Sequence, residues 1–169
     1  IFPLPARQTP HGKITLRSLP ENAGKSAITI RNIFPREQSS GIEDAEVIVA
    51  GGRGFRKKED LALLEELAGL LNGKVASTRA LVEANWTGQK QQIGLSGRTV
   101  KPKLLIACGI SGAVQFTAGM SGAERIIAIN TDENAPIFKV SHVGIVGDLY
   151  EILPDLIEKV KQQKANLGQ

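Results

Sequence analysis

Cysteine is almost missing from this chain: one, Cys108, in 169 residues. A lone cysteine rules out an internal disulfide, and its place inside an apolar run reads as a small core residue in a reducing compartment. Aromatics are scarce as well, at 4% with one Trp and one Tyr, so the core has to be aliphatic. No apolar run approaches the ~18 residues of a membrane span, and no stretch has the layout of a signal peptide. No basic block is interleaved with aromatics, which excludes the usual footprint of a nucleic-acid binder. The net charge of +4 is modest and favours an anionic ligand or an acidic partner surface. His11 and His142 stand apart with no second ligand nearby in sequence, so neither marks a metal site.

What is present is a hydrophobic content of 41% over 169 residues, enough for one well-buried domain with an appendage. The chain opens on Ile1 and not Met, which suggests a fragment or a processed product. Residues 1–45 are broken by Pro3, Pro5, Pro10, Pro20 and Pro35, while 13–16 and 27–30 alternate enough for two short strands. Ile14, Leu16, Ile28 and Ile30 need cover that so short a segment cannot give itself. Residues 1–45 are therefore expected to be an extended β arm completing a neighbouring domain or subunit, with a plain linker as the alternative.

From residue 46 the pattern changes to alternating strands and helices. Strands are expected at 46–50, 74–77, 104–108 and 126–130, with a short fifth inside 138–146. Helices are expected at 59–71, stopped by Asn72 and Gly73, at 113–119, and from 149 to about 163 behind an Asp148 cap, with Pro154 as an irregularity. Strands separated by helices imply an α/β fold: a parallel five-stranded Rossmann-like sheet with helices on both faces, preceded by the β arm. Ligands of such sheets lie at the carboxyl ends of the strands.

The turn after residues 104–108, Cys108-Gly109-Ile110-Ser111-Gly112, joins a strand end to a helix start. Unpaired backbone N–H groups and the positive end of the helix dipole meet there, and glycine lets backbone approach a phosphate closely. The plainer alternative is a tight turn with Ser111 as N-cap. Arg53, Thr78, Arg79, Ser111 and Asn130 all follow or close strands, so all five are expected around one crevice. Arg53 or Arg79 can neutralise a diphosphate, or be solvated surface charges. Asn130 can read an adenine or ribose edge, or serve as ordinary turn chemistry. Asp148 can bond a ribose hydroxyl or only cap its helix. Gly94-Leu95-Ser96-Gly97 can lie flat against a planar ring with Ser96 offering a hydroxyl, or be a mobile connection. Trp86 is read as a packing residue.

The runs GGRGF at 51–55, STRALVEANW at 77–86, IGLSGRTVKPKLLIACGISGAVQFTAGM at 93–120, and IIAIN, APIF and GIVGDLYEILP within 126–154 resemble the C-terminal FAD-binding domain of the electron-transfer flavoprotein alpha subunit. The resemblance covers about 47–161 in order, and several separated motifs agree at once. It implies FAD as cofactor, a domain of residues 46–169, and a heterodimer with a beta subunit. It further implies that Arg53, Thr78, Ser111, Gly112, Ala113, Val114 and Gln115 surround the pyrophosphate and ribityl portion. Arg79 would lie over the isoalloxazine, Ile93, Gly94 and Leu95 would form the flavin loop, and Ser96 would donate to flavin N5. Asn130, Asp148 and Leu149 would hold the adenosine end. Two positions depart from the family. Leu95 and Ser96 stand where it usually has Gln-Thr, and Phe116 stands where it usually has a histidine near the flavin O2 carbonyl. Phenylalanine cannot stabilise negative charge there, so FAD binding is expected to be kept and the anionic semiquinone to be less favoured.

The expected function is an electron carrier, taking electrons from dehydrogenases and passing them to a quinone-reducing or other acceptor. The absence of a nucleophile or acid–base constellation agrees with a carrier more than with a catalyst that has its own substrate. The alternatives are a flavin-dependent oxidoreductase or a subunit of an electron-bifurcating complex, and a non-redox nucleotide-binding module. Neither nucleic acid nor membrane insertion is expected, and a bacterial cytoplasm is favoured over a mitochondrial matrix.

Overall fold

The computed structural model describes residues 15–18 and 41–167. The chain divides into two units, Ile1–Glu37 and Gln38–Gln169. In the first, Thr15, Leu16, Arg17 and Ser18 are exposed and without regular secondary structure. The strand expected at 27–30 lies outside the described residues, as do Lys13 and Ile14 of the one expected at 13–16.

The second unit is built on five parallel strands: β1 (Val47–Gly51), β2 (Lys74–Ser77), β3 (Leu104–Cys108), β4 (Arg125–Asn130) and β5 (Val143–Val146). Strands of Val, Ile, Leu and Ala suit a sheet covered on both faces. The period of two sorts their side chains. Ile48, Ala50, Leu105, Ala107, Ile126 and Ala128 enter one core cluster, while Val49, Ile106, Cys108 and Ile129 enter the other. Helix α3 (Val114–Met120) covers the first face through Phe116 and Met120. The second lies under α1 (Ala62–Leu70) and α4 (Leu149–Leu167), which bring Leu64, Leu67, Leu153 and Ile157, and under Leu81 of α2 (Arg79–Glu83). The α/β, five-stranded, all-parallel Rossmann-like sheet with helices on both faces is thus as expected.

The strand order is β2-β1-β3-β4-β5. The chain moves outward from β1 to β2, returns across β1 to β3, then proceeds the other way. Connections therefore leave to opposite sides between β1 and β3, and a crevice opens over the carboxyl ends of those two strands.

Several boundaries differ from the sequence reading. Residues 58–61 form a 3-10 turn ahead of α1 instead of its first α turn. Helix α2 was not expected, because five residues are too few to carry a 3.6-residue period. Both helices end in the same backbone device. Asn72 at φ 52° and Asn85 at φ 58° turn left-handed, and Gly73 N–H reaches back to Ala68 O at 2.8 Å as Trp86 N–H does to Leu81 O at 2.9 Å. The second of these lays Trp86 against the core around Leu81. Helix α4 runs on to Leu167 with Pro154 inside it.

Candidate functional site

The carboxyl ends of β1, β2, β3 and β4 surround one crevice of about 720 Å³. That size lies in the range of small-molecule and cofactor sites. Every residue that the resemblance assigned to the FAD site lines it except two: Gly112 and Val114. Gly112, at φ 86°, is buried and packed on the backbone of Ile137, where a β-carbon has no room. It shapes the turn without facing the crevice. Val114 opens α3, and the helical rotation of about 100° per residue carries it away from Ala113 and Gln115. It is 74% exposed and lines a separate shallow concavity with Met120, Ile126, Val140 and His142.

The β3–α3 turn supplies donors. The N–H groups of residues 111–113 find no acceptor among the described residues, and the first N–H groups of α3 have no partner within the helix. Gly109 donates to Ile129 O at 2.9 Å and accepts from Gly54 N–H at 3.0 Å. This stitches the β1 loop carrying Arg53 onto the turn. Arg53 is exposed and has no ion pair among the described residues. Thr78 stands at the N-cap of α2, yet its hydroxyl makes no capping bond. Its Oγ1 is buried and has no hydrogen-bond partner among the described residues. A buried hydroxyl left unpaired costs about 1–3 kcal/mol.

The opposite wall is the loop of residues 93–98. Leu95 N–H donates to Gln115 O at 2.9 Å, and Gly94 N–H to Arg98 O at 3.2 Å. Gly94 sits at φ 138°, where an added β-carbon would lie 2.7 Å from Gln115 O, so only glycine lets this loop close on α3. Ile93 is buried, Leu95 is 72% exposed on the lip, and Ser96 Oγ accepts from Gln92 Nε2 at 2.9 Å. Phe116, 6% exposed, belongs to the core and lines the crevice floor at once.

Other side chains are engaged within the protein. Arg79 Nε donates to Glu83 at 2.8 Å, an exposed pair one helical turn apart. The Asn130 amide bridges two turns: Nδ2 donates to Ile110 O at 2.9 Å and Oδ1 accepts from Asp132 N–H at 3.0 Å. This is the turn chemistry weighed for it, and it braces the β3–α3 turn against β4. Asp148 caps α4, accepting from Tyr150 N–H at 2.9 Å, and its other oxygen pairs with Arg56 at 3.0 Å. Leu149 is buried beside it.

Sequence reasoning missed Arg56 and Gln92, both of which line the crevice. Arg56 belongs to a clasp. Its guanidinium lies 4.6 Å from the centre of the Tyr150 ring, and the Arg56 backbone N–H donates to the Tyr150 hydroxyl at 2.7 Å. That hydroxyl in turn donates to Asp60 at 2.6 Å. Burial, with the Asp60 hydrogen bond, pushes the Tyr150 phenol above its ordinary range. The partners are 90 or more residues apart, so no local pattern announces them. The charged side chains lining the crevice are three arginines and Asp148, whose carboxylate is already paired. The walls are therefore cationic and rich in unspent donors, which suits a diphosphate.

Residues 41–121 match the electron transfer flavoprotein FAD-binding domain. This chain belongs to the electron transfer flavoprotein alpha family. Its cofactor is FAD, and the crevice fits it: orphaned N–H groups and the unpartnered Thr78 hydroxyl need acceptors, and phosphate oxygens provide them. Among relatives, a lactate dehydrogenase (NAD(+),ferredoxin) subunit, LctC, of Acetobacterium woodii is 47% identical over 167 residues, 98% of this chain and 40% of its own length. The electron transfer flavoprotein subunit alpha of Megasphaera elsdenii is 54% identical over 125 residues, 73% of this chain and 37% of its own. Protein FixB of Clostridium saccharobutylicum is 54% identical over 121 residues, 72% of this chain and 36% of its own. The chain thus spans about two fifths of the length of these family members. Among the described residues no helix is long and apolar enough to cross a membrane.

Proposed function

We propose that this chain is the FAD-holding part of a two-subunit electron carrier that accepts electrons from dehydrogenases and passes them to a quinone-reducing or other acceptor. The observation that carries this reading is the crevice at the β1/β3 switch point, whose unspent donors match a dinucleotide and whose charged groups serve binding. Bound FAD supplies the redox chemistry, accepting and releasing electrons at its ring. The protein's own share is grip and orientation. Arg53, the N–H groups of residues 111–113 and Thr78 neutralise and hold the pyrophosphate. Asp148 and Leu149 frame the adenosine end beside the braced Asn130. The loop from Ile93 to Ser96 lies along the ring system with Arg79 on its other side, and Phe116 closes off water below it. A beta subunit completes the cover. Within residues 1–45, Ile42 belongs to the core of the second unit, and the arm reaching toward a neighbouring domain or subunit is the part ahead of Gln38. A bacterial cytoplasm suits the lone reduced cysteine and the bacterial relatives.

A second reading, a subunit of an electron-bifurcating complex, draws on the relative named for NAD(+) and ferredoxin, whose similarity extends over 98% of this chain. The deciding experiment is the visible spectrum of the full protein with its beta subunit during reduction by candidate dehydrogenases. Bleaching that requires a dehydrogenase supports the carrier; bleaching by a small substrate alone overturns it in favour of an oxidoreductase. Coupled reduction of ferredoxin and NAD(+) by one donor favours the bifurcating complex, and a colourless protein that takes up no flavin overturns all three.

A further inference from the structure

Gln92 is one of two polar residues in the buried core of the described chain, 4% exposed. It hangs from the end of β2 through a bridge to Ser77, and its carbonyl accepts from Arg98 N–H at 2.7 Å. Burying a glutamine costs polar hydration and side-chain entropy, so what its amide does is informative. Nε2 donates to Ser96 Oγ at 2.9 Å. A hydroxyl has two acceptor lone pairs and one proton, and an amide N–H can only donate. The Ser96 proton is therefore left to point elsewhere, and Ser96 donates to no group among the described residues. The backbone around it is already pinned, by Gly94 to Arg98, Gly97 to Gly94 and Leu95 to Gln115. The free rotor of the loop is the serine side chain, which lacks the β-branch that stiffens χ1 in threonine.

We propose that Gln92 is a positioning residue: its buried amide fixes the Ser96 hydroxyl as a donor directed into the crevice, toward a ring atom of the flavin that gains electron density on reduction. This rests on the reading that residues 93–96 lie along the flavin ring. A donor held there binds the reduced ring better than the oxidised one, so it raises the reduction potential. Gln92 acts only through Ser96.

The test uses the FAD-loaded full-length protein and measures the two-electron potential by dye equilibration, with the flavin spectrum and melting as checks on folding. Ser96→Ala and Gln92→Leu are each expected to lower the ratio of reduced- to oxidised-FAD affinity by about 3- to 10-fold, roughly 15 to 30 mV for a two-electron couple. The double variant is expected to match Ser96→Ala alone. In the Gln92→Leu background, Ser96→Thr is expected to recover most of the loss, because the β-branch restores the restraint. If Ser96→Ala shifts the potential and Gln92→Leu does not, the positioning role is overturned while the flavin-loop reading stands. If Ser96→Ala itself is silent, the flavin-loop placement fails and this inference with it. Should Gln92→Leu lose its flavin, Gln92→Glu replaces it: a carboxylate only accepts and draws the serine proton away. Its potential must then fall further with Ser96 present than in the Ser96→Ala background, and equal falls overturn the proposal.

Discussion

Thr78→Val separates a residue that serves the fold from one that serves a ligand, because the two roles predict opposite signs. Thr78 Oγ1 is buried without a partner among the described residues, and the capping bond that would justify it at the start of α2 is not made. Valine keeps the shape and the β-branch and removes only the unpaired hydroxyl. The usual loss of about 1 kcal/mol for deleting an N-cap therefore does not apply. Relief of the desolvated hydroxyl is worth about 1 kcal/mol, at the low end of the penalty for an unsatisfied group. The FAD-free variant is expected to melt roughly 2–5 °C above wild type. Binding should move the other way: a hydrogen bond to a charged phosphate is worth about 1.5–3 kcal/mol, so affinity for FAD falls roughly 10- to 100-fold. Thr78→Ser keeps the hydroxyl and should bind within a few-fold of wild type. Melting scans without flavin and a fluorescence titration with FAD give both signs. An FAD-free Thr78→Val that melts below wild type, or one whose FAD affinity is unchanged, refutes the assignment.

Three further outcomes are expected. Gly94→Ala forces an L-residue to φ 138° and sets its β-carbon 2.7 Å from Gln115 O; it should cost about 1–3 kcal/mol in melting and loosen flavin binding together. Phe116→His places an imidazolium donor at the crevice floor, so stepwise dithionite titration should build more of the red one-electron-reduced flavin than in wild type. A fully developed red species in the wild-type protein would contradict the reasoning. Burial pushes the Cys108 thiol from 9.0 up to about 12. Below about pH 9 neither state ionises and stability is unaffected; above it the unfolded thiol loses its proton while the folded one keeps it, so stability falls by up to ~1.4 kcal/mol per pH unit toward pH 12. Denaturant curves of wild type and Cys108→Ala at about pH 8 and about pH 10 check this, and equal pH slopes in the two proteins would count against it.

The short apolar runs at 104–108 and 126–130 and the punctuation by Asn72 and Gly73 were enough to read the α/β alternation and the parallel sheet, because buried strands and helix stops are local matters. The family motifs in the same stretches were legible for the same reason: each is contiguous and carries its own chemistry. What no stretch of chain could reveal is which donors and acceptors are already spent. Asn130 and Asp148 looked as available as Arg53 and Ser111. Only folding brings Asn130 against Ile110, and Arg56 against Asp148 and Tyr150 across more than 90 residues. Val114 and Gly112 sit inside the right motif and still miss the crevice, since helical rotation and the packing on Ile137 set their direction. Sequence specifies which groups exist and roughly where along each element they fall. Their freedom to bind depends on long-range hydrogen bonds and on burial, which exist only once β1 and β3 lie side by side.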